Sequence, residues 1–227
     1  MSHQLNITRI KAVYQSLGEL GDKVVFVGGA TVSLYIDRAA EELRPTEDID
    51  VLIELATYRD YTEIDEKLRL KGFVNEAESG VICRYRVQGI VVDVMPTNEE
   101  VLGFSNRWYA QGFRNAITVA LDDQMSILIF DSLHFLASKV EAFKNRGRGD
   151  GRQSTDFEDI VYLLNNRSAI WAELEQSSGV LQEYLKEEVT AILSQKYVTD
   201  WILGHLEPAE RRRGTFILNS LKEFSER

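Results

Sequence analysis

Two aspartates, Asp48 and Asp50, stand at alternate positions of the run 48-DIDVLIEL-55, which is otherwise apolar as far as Ile53. A short β-branched, apolar run of this kind reads as a buried strand. Side chains alternate along a strand, so the two carboxylates point to one side while Ile49 and Val51 point to the other. Like charges held side by side cost stability unless a cation or hydrogen-bond donors compensate them. Any fold that keeps this strand has to supply that compensation. A divalent cation is the natural choice, because Mg²⁺ prefers carboxylate oxygens together with nucleotide phosphates and leaves its other positions to water.

A third acid, Asp93, lies inside 90-IVVDVMP-96 between Val92 and Val94. If that arm runs beside the Asp48–Asp50 strand, the three acids converge. Three acids suffice to hold two metal ions for an in-line phosphoryl displacement. Upstream, 23-KVVFVGG-29 reads as a short buried strand that ends in the turn Gly28-Gly29, with a helix over residues 30–40 opening from it. Backbone N–H groups of such a turn can approach triphosphate oxygens, and a helix N-terminus favours their charge. Each piece has a plainer use: a glycine pair makes tight turns, a DxD occurs at strand ends, and a lone aspartate suits a sheet edge. The ordered set is more specific: strand, glycine pair, helix, basic residue, Thr-x-Asp-x-Asp, strand aspartate.

The remaining pattern divides the chain in two. A helix is predicted over residues 5–20, another over 58–70 stopped by Gly72, a hairpin over 80–96 turning at Gln88-Gly89, and a second pair, 115–121 and 124–130, around Asp122-Asp123. Beyond residue 131 the periodicity is helical, with helices over 132–144, 156–166, 169–175, 178–196 and 208–225. Domains of 1–130 and 131–227 follow, sharing an interface. Apolar residues make up 44% and charged residues 27%, an ordinary globular balance. No run approaches the ~20 apolar residues of a membrane span, and the N-terminal MSHQLNITRIKAVYQ lacks a signal-peptide core, so a cytoplasmic protein without a membrane partner is expected. A single cysteine, Cys83, excludes an intramolecular disulfide, and three scattered histidines do not suit structural zinc. The net charge of -10 argues against non-specific coating of nucleic acid but permits a local basic groove.

The segments 27-VGGATVSLY-35, 44-RPTEDIDV-51, 92-VDV-94, 136-LASKVEAFKNR-146 and 155-TDFEDIVYLL-164 resemble the nucleotidyltransferase superfamily of DNA polymerase beta-like enzymes. The closer resemblance is to the AbiEii/MenT group of bacterial nucleotidyltransferase-like toxins, and it covers about residues 24–164. It implies an α+β fold, a mixed sheet with flanking helices followed by a C-terminal helical bundle that completes the active site. It also implies that Gly28 and Gly29 cradle nucleotide phosphate and that Asp48, Asp50 and Asp93 hold Mg²⁺, with Asp93 as general base for the acceptor hydroxyl. Lys139, three residues before Ala142, would reach the triphosphate, and Asp156, followed by Asp159, would lie near the site. Arg44, in Arg-x-Thr-x-Asp, would contact phosphate, and Thr46 would orient the loop before Asp48. Thr155 departs from the pattern, since many members carry a basic residue there.

The implied activity is transfer of an NMP from an NTP to an acceptor hydroxyl with release of pyrophosphate. The implied acceptor is the tRNA 3′ end or another RNA, and a cognate antitoxin is the implied partner. A small-molecule or protein hydroxyl is an alternative acceptor, and an inactive nucleotide-binding module is a third reading. Several weaker candidates remain. Arg107, Trp108, Tyr109, Phe113 and Arg114 interleave bases-stacking rings with cations, or else pack between domains. Arg146, Arg148 and Arg152 form a basic connector, 211-RRR-213 suits a solvated helix face, Thr31 and Ser33 could hydrogen-bond phosphate or serve the local turn, and Arg38 lies with Arg44 between the glycine turn and the Asp48–Asp50 strand. Lys139 itself would otherwise snorkel from a half-buried helix.

Overall fold

Apolar residues at Ile7, Ile10, Val13 and Leu17 recur at helical spacing, and all four are buried along one face of α1 (Ser2–Leu17). The structure, a computed structural model, describes residues 2–38, 45–146 and 149–227. It divides into two compact units, one of Met1–Leu34 and Glu41–Asp131, the other of Tyr35–Ala40 and Ser132–Arg227.

The first unit is built on a seven-stranded mixed sheet. In chain order its strands are β1 (Val24–Val27), β2 (Asp48–Ile53), β3 (Val74–Asn75), β4 (Arg84–Val87), β5 (Ile90–Pro96), β6 (Ile117–Ala120) and β7 (Ser126–Ile129), and across the sheet they run β3-β4-β5-β2-β1-β7-β6. The β2–β5 and β1–β7 pairs are parallel and the other pairs antiparallel. Between β2 and β3 runs α2 (Tyr58–Leu70), opened by a reciprocal cap in which Thr57 and Asp60 accept each other's backbone N–H. Its end is closed by Phe73 N–H donating to Leu68 O and Gly72 N–H to Arg69 O, which satisfies carbonyls the last turn leaves open. The β4–β5 turn falls at Gln88-Gly89 as expected, with φ of 50° and 79°, the two positive values a two-residue hairpin of this hand needs. Two short helices, α3 (Glu99–Leu102) and α4 (Tyr109–Arg114), connect β5 to β6.

The predicted helix over residues 30–40 is not there. A 3-10 segment, Gly29–Leu34, follows the glycine turn and stops. Thr31 turns its hydroxyl back onto Gly28 O, and β-branched Thr31 and Val32 crowd a helical turn. Tyr35 and Asp37 then satisfy their backbone elsewhere: Asp37 N–H donates to Asn166 O at 3.2 Å and Arg167 to Tyr35 O at 2.8 Å. Residues 39 and 40, the end of that predicted helix, lie outside the described residues.

The second unit consists of α5 (Ser132–Arg146), α6 (Thr155–Asn166), α7 (Ile170–Gln176), α8 (Gly179–Leu193), α9 (Val198–Gly204) and α10 (Arg211–Glu226). Phe143, Phe157 and Trp201 meet in its core with ring centroids 5.0–6.0 Å apart. Among these helices α9 alone has no counterpart in the predicted set, because its seven residues are too few to show a period. The whole is the expected α+β architecture, a mixed sheet with flanking helices followed by C-terminal helices. Among the described residues no helix is long and apolar enough to cross a membrane.

Candidate active site

Strand β2 is flanked by β1 and β5, and its parallel register with β5 sets Asp50 beside Asp93 and Asp48 beside Val91. The acids therefore share one side of the sheet, while Ile49, Val51, Val92 and Val94 are buried on the other. One carboxylate oxygen from each of Asp48, Asp50 and Asp93 lies within 4.8 Å of the others. Asp93 is buried, and Asp48 and Asp50 are half-buried. Three hard oxygen donors gathered at this spacing fit a divalent cation such as Mg²⁺.

A residue absent from the sequence reading completes the cluster. Arg84 on β4 lies directly across the ladder from Asp93. Its Nε donates to Asp93 Oδ1 at 2.8 Å, and its Nη2 donates to Asp93 Oδ2 at 2.7 Å and to Asp48 Oδ2 at 3.2 Å. The Asp93 hydrogen bond, with the charges of Asp93, Asp48 and Asp50, outweighs burial and holds the guanidinium more firmly protonated than usual. The signal was available. A turn at Gln88-Gly89 pairs Val87 with Ile90, and counting outward pairs Arg84 with Asp93. Its neighbour Cys83 is buried, and burial, then the negative charge of Asp93, pushes its thiol up to about 12.

The glycine turn is shaped around the same acids. Gly28 has a φ of +73°, and a Cβ on it would lie 1.9 Å from Asp50 Oδ2. Val27, the residue before it, is the ladder partner of Asp50. Gly29 opens the 3-10 segment, and Thr31 donates both N–H and hydroxyl to Gly28 O, at 3.3 and 3.0 Å. Among the described residues no full helix, and so no helix dipole, stands behind this turn. Ser33 Oγ is buried with no hydrogen-bond partner among the described residues. Thr46 is buried and donates its hydroxyl to Asn6 Oδ1 at 3.2 Å, while Arg9 donates to Thr46 O. Helix α1 therefore ties down the segment leading into Asp48. Arg44 lies outside the described residues.

The helical unit holds a second charged cluster. Lys139 on α5 places Nζ 2.6 Å from Asp159 Oδ2 and 3.4 Å from Asp156 Oδ1, and its side chain is only 9% exposed. That exposure rules out a lysine snorkelling to solvent. Asp156 and Asp159 stand one turn apart on α6, and Arg146 grips Asp156 through two hydrogen bonds of 2.7 and 2.9 Å. Burial pushes the Asp156 carboxyl up, but the Arg146 hydrogen bond and the charges of Lys139 and Arg146 outweigh it and hold the group below its ordinary range. Arg146 thus gives Asp156 the basic neighbour that Thr155 does not.

The weaker candidates resolve mostly into packing and local pairs. Trp108 is 2% exposed beneath the Arg107 guanidinium, and Tyr109 packs on Phe130 at 6.4 Å. A ring so buried offers no face to a base. Arg152 pairs with Asp150, Arg38 and Arg213 both donate to Asn165 O, and Arg211 and Arg212 are exposed. Arg148 lies outside the described residues.

Residues 11–227 match the model of a known protein family, described as Nucleotidyl transferase AbiEii toxin, Type IV TA system. The match takes in the glycine turn, the acidic triad, the Lys139 cluster and the C-terminal helices that the motifs alone did not reach. No curated protein matches the chain.

Proposed function

Because the chain belongs to the AbiEii family of nucleotidyl transferase toxins, we propose that it moves a nucleoside monophosphate from an NTP to an acceptor hydroxyl, using Mg²⁺ and releasing pyrophosphate. Nucleotidyl transfer within a toxin–antitoxin pair is what membership itself carries. The observation that supports the finer reading best is the convergence of Asp48, Asp50 and Asp93 within 4.8 Å on one side of a sheet whose other side is packed core. These three would hold the metal, which when bound stabilises charge on the phosphoryl oxygens and acidifies the acceptor hydroxyl.

The chain's own residues have distinct parts in this reading. Asp93 accepts the proton of the acceptor hydroxyl, whose oxygen bonds to the α-phosphorus as the bond to the β-phosphate bridging oxygen breaks. Gly28 seats Asp50 and, with Gly29, offers backbone N–H groups to phosphate. Thr46, held by Asn6 and Arg9, fixes the approach to Asp48, and Arg44 contacts phosphate. Lys139 serves the triphosphate as a point charge, with Asp156 and Asp159 holding its ammonium in place. The domains would be 1–130 as catalytic core and 131–227 as the part that completes the site.

For the acceptor, an RNA such as the tRNA 3′ end is favoured by the toxin family. The net charge of -10 and the burial of Trp108 favour instead a small-molecule or protein hydroxyl. Incubation with Mg²⁺, each α-³²P-labelled NTP and total bacterial RNA separates them. Label on tRNA-sized RNA that EDTA abolishes is the expected result. Pyrophosphate release with no labelled RNA would move the acceptor to another class, and label that survives EDTA would contradict the metal reading.

A further inference from the structure

The acidic triad is not an open set of three acids. Arg84 binds both oxygens of Asp93, and its Nη2 alone bridges Asp93 Oδ2 and Asp48 Oδ2. Those oxygens belong to the carboxylates assigned above to the metal. A guanidinium does not lose its proton in a protein, so this positive charge cannot be titrated away and has to move. We propose that Arg84 competes with the divalent metal for Asp48 and Asp93, so that metal binds only as the guanidinium swings off them. This inference rests on reading the triad as the metal centre.

Three observations carry it. First, one nitrogen spans two carboxylates at 2.7 and 3.2 Å, which is the bridging position a cation takes between them. Mg²⁺ requires oxygens at about 2.1 Å, and a second cation on the same bridging pair is repelled by it. Second, the arginine is the more exposed partner of its pair with Asp93. Arg84 is 25% exposed, while Asp93 is 10% exposed and fixed within β5, so the arginine is the partner that can leave. Third, the ladder keeps Arg84 opposite Asp93 whatever its side chain does, so the charge returns whenever the metal leaves. Arg84 thereby raises the metal concentration at which the site fills, and it relieves carboxylate repulsion below that concentration.

Mn²⁺ titrated calorimetrically into the full chain, wild type against Arg84→Gln, tests this without reference to turnover. Losing a charge-assisted pair of this kind is expected to tighten Mn²⁺ binding about ten-fold. Arg84→Gln is also expected to melt below wild type in EDTA, with the gap narrowing in Mn²⁺. Arg84→Lys keeps the charge but not the fork, and its affinity is expected to fall between the two; it decides the matter if Arg84→Gln does not fold. Unchanged or weaker Mn²⁺ binding in the folded variants would overturn the proposal and make Arg84 an orienting partner of Asp93 instead. If folded wild type and Arg84→Gln both bind no Mn²⁺, the metal reading of the triad falls, and this proposal with it.

Discussion

Gly28 and Asp50 share one small volume: the position a Cβ would take on Gly28 lies 1.9 Å from Asp50 Oδ2 and 2.8 Å from its Cγ. The glycine turn and the acidic strand are therefore one structural device, since the first residue of the turn has to be side-chain-free for the acid to sit where it does. Gly28 also carries a φ of +73°, which a residue with a Cβ adopts at a cost of about 1–2 kcal/mol.

Gly28→Ala is expected to fold with a lowered melting temperature and to lose about a hundred-fold in transfer rate, because the Asp50 carboxylate is pushed from its place by an ångström or more. Parallel melting curves and rates check it. Wild-type rates in Gly28→Ala would show that the position of Asp50 does not matter.

Lys139→Ala is expected to destabilise the protein by about 3–5 kcal/mol, because it leaves the buried carboxylates of Asp156 and Asp159 without their shared cation. Urea denaturation measures this directly. A loss under about 1 kcal/mol would mean that Arg146 and other partners suffice for both acids.

The low-lying Asp156 carboxyl gives stability a defined pH dependence. Its folded pKa is depressed, so its contribution is present above the unfolded value near ~4 and is lost as pH falls through the folded value. Asp156→Asn is expected to flatten the fall in urea midpoint below about pH 4 while lowering stability at neutral pH. Equal slopes in variant and wild type would contradict the assignment.

Cys83, buried and with its thiol pushed up to about 12, is expected to resist a thiol reagent at pH 8 until the protein is unfolded. Rapid labelling of the native chain would show that Cys83 is reachable in the folded protein.

Much of this was legible in the sequence because it depends on local rules. Alternation placed Asp48 and Asp50 on one face, and Gln88-Gly89 announced its own turn. Asp93 could be named from its strand, but its partnership with Asp50 depends on β5 running parallel to β2, a pairing across forty residues that no local pattern encodes. The hairpin register reaches Arg84, but its bond to Asp48 also needs the long-range β2–β5 pairing, so nothing in the local pattern marks it as the cation of the cluster. The helix over residues 30–40 failed for a tertiary reason: its backbone groups at Tyr35 and Asp37 are bonded to Asn166 and Arg167, more than a hundred residues away. Lys139 was readable as a helix residue, while its burial between two α6 acids was not.

The most direct test of the acidic triad as a nucleotidyl-transfer centre is pyrophosphate release from NTPs with bacterial RNA across a Mg²⁺ titration, wild type beside Asp50→Asn. Asp50→Asn preserves the packing against Gly28 and removes one negative charge from the cluster. The expected result is Mg²⁺-dependent release by wild type and its loss in an Asp50→Asn protein whose melting curve shows it folded. Release at the wild-type rate by a folded Asp50→Asn protein would contradict the account.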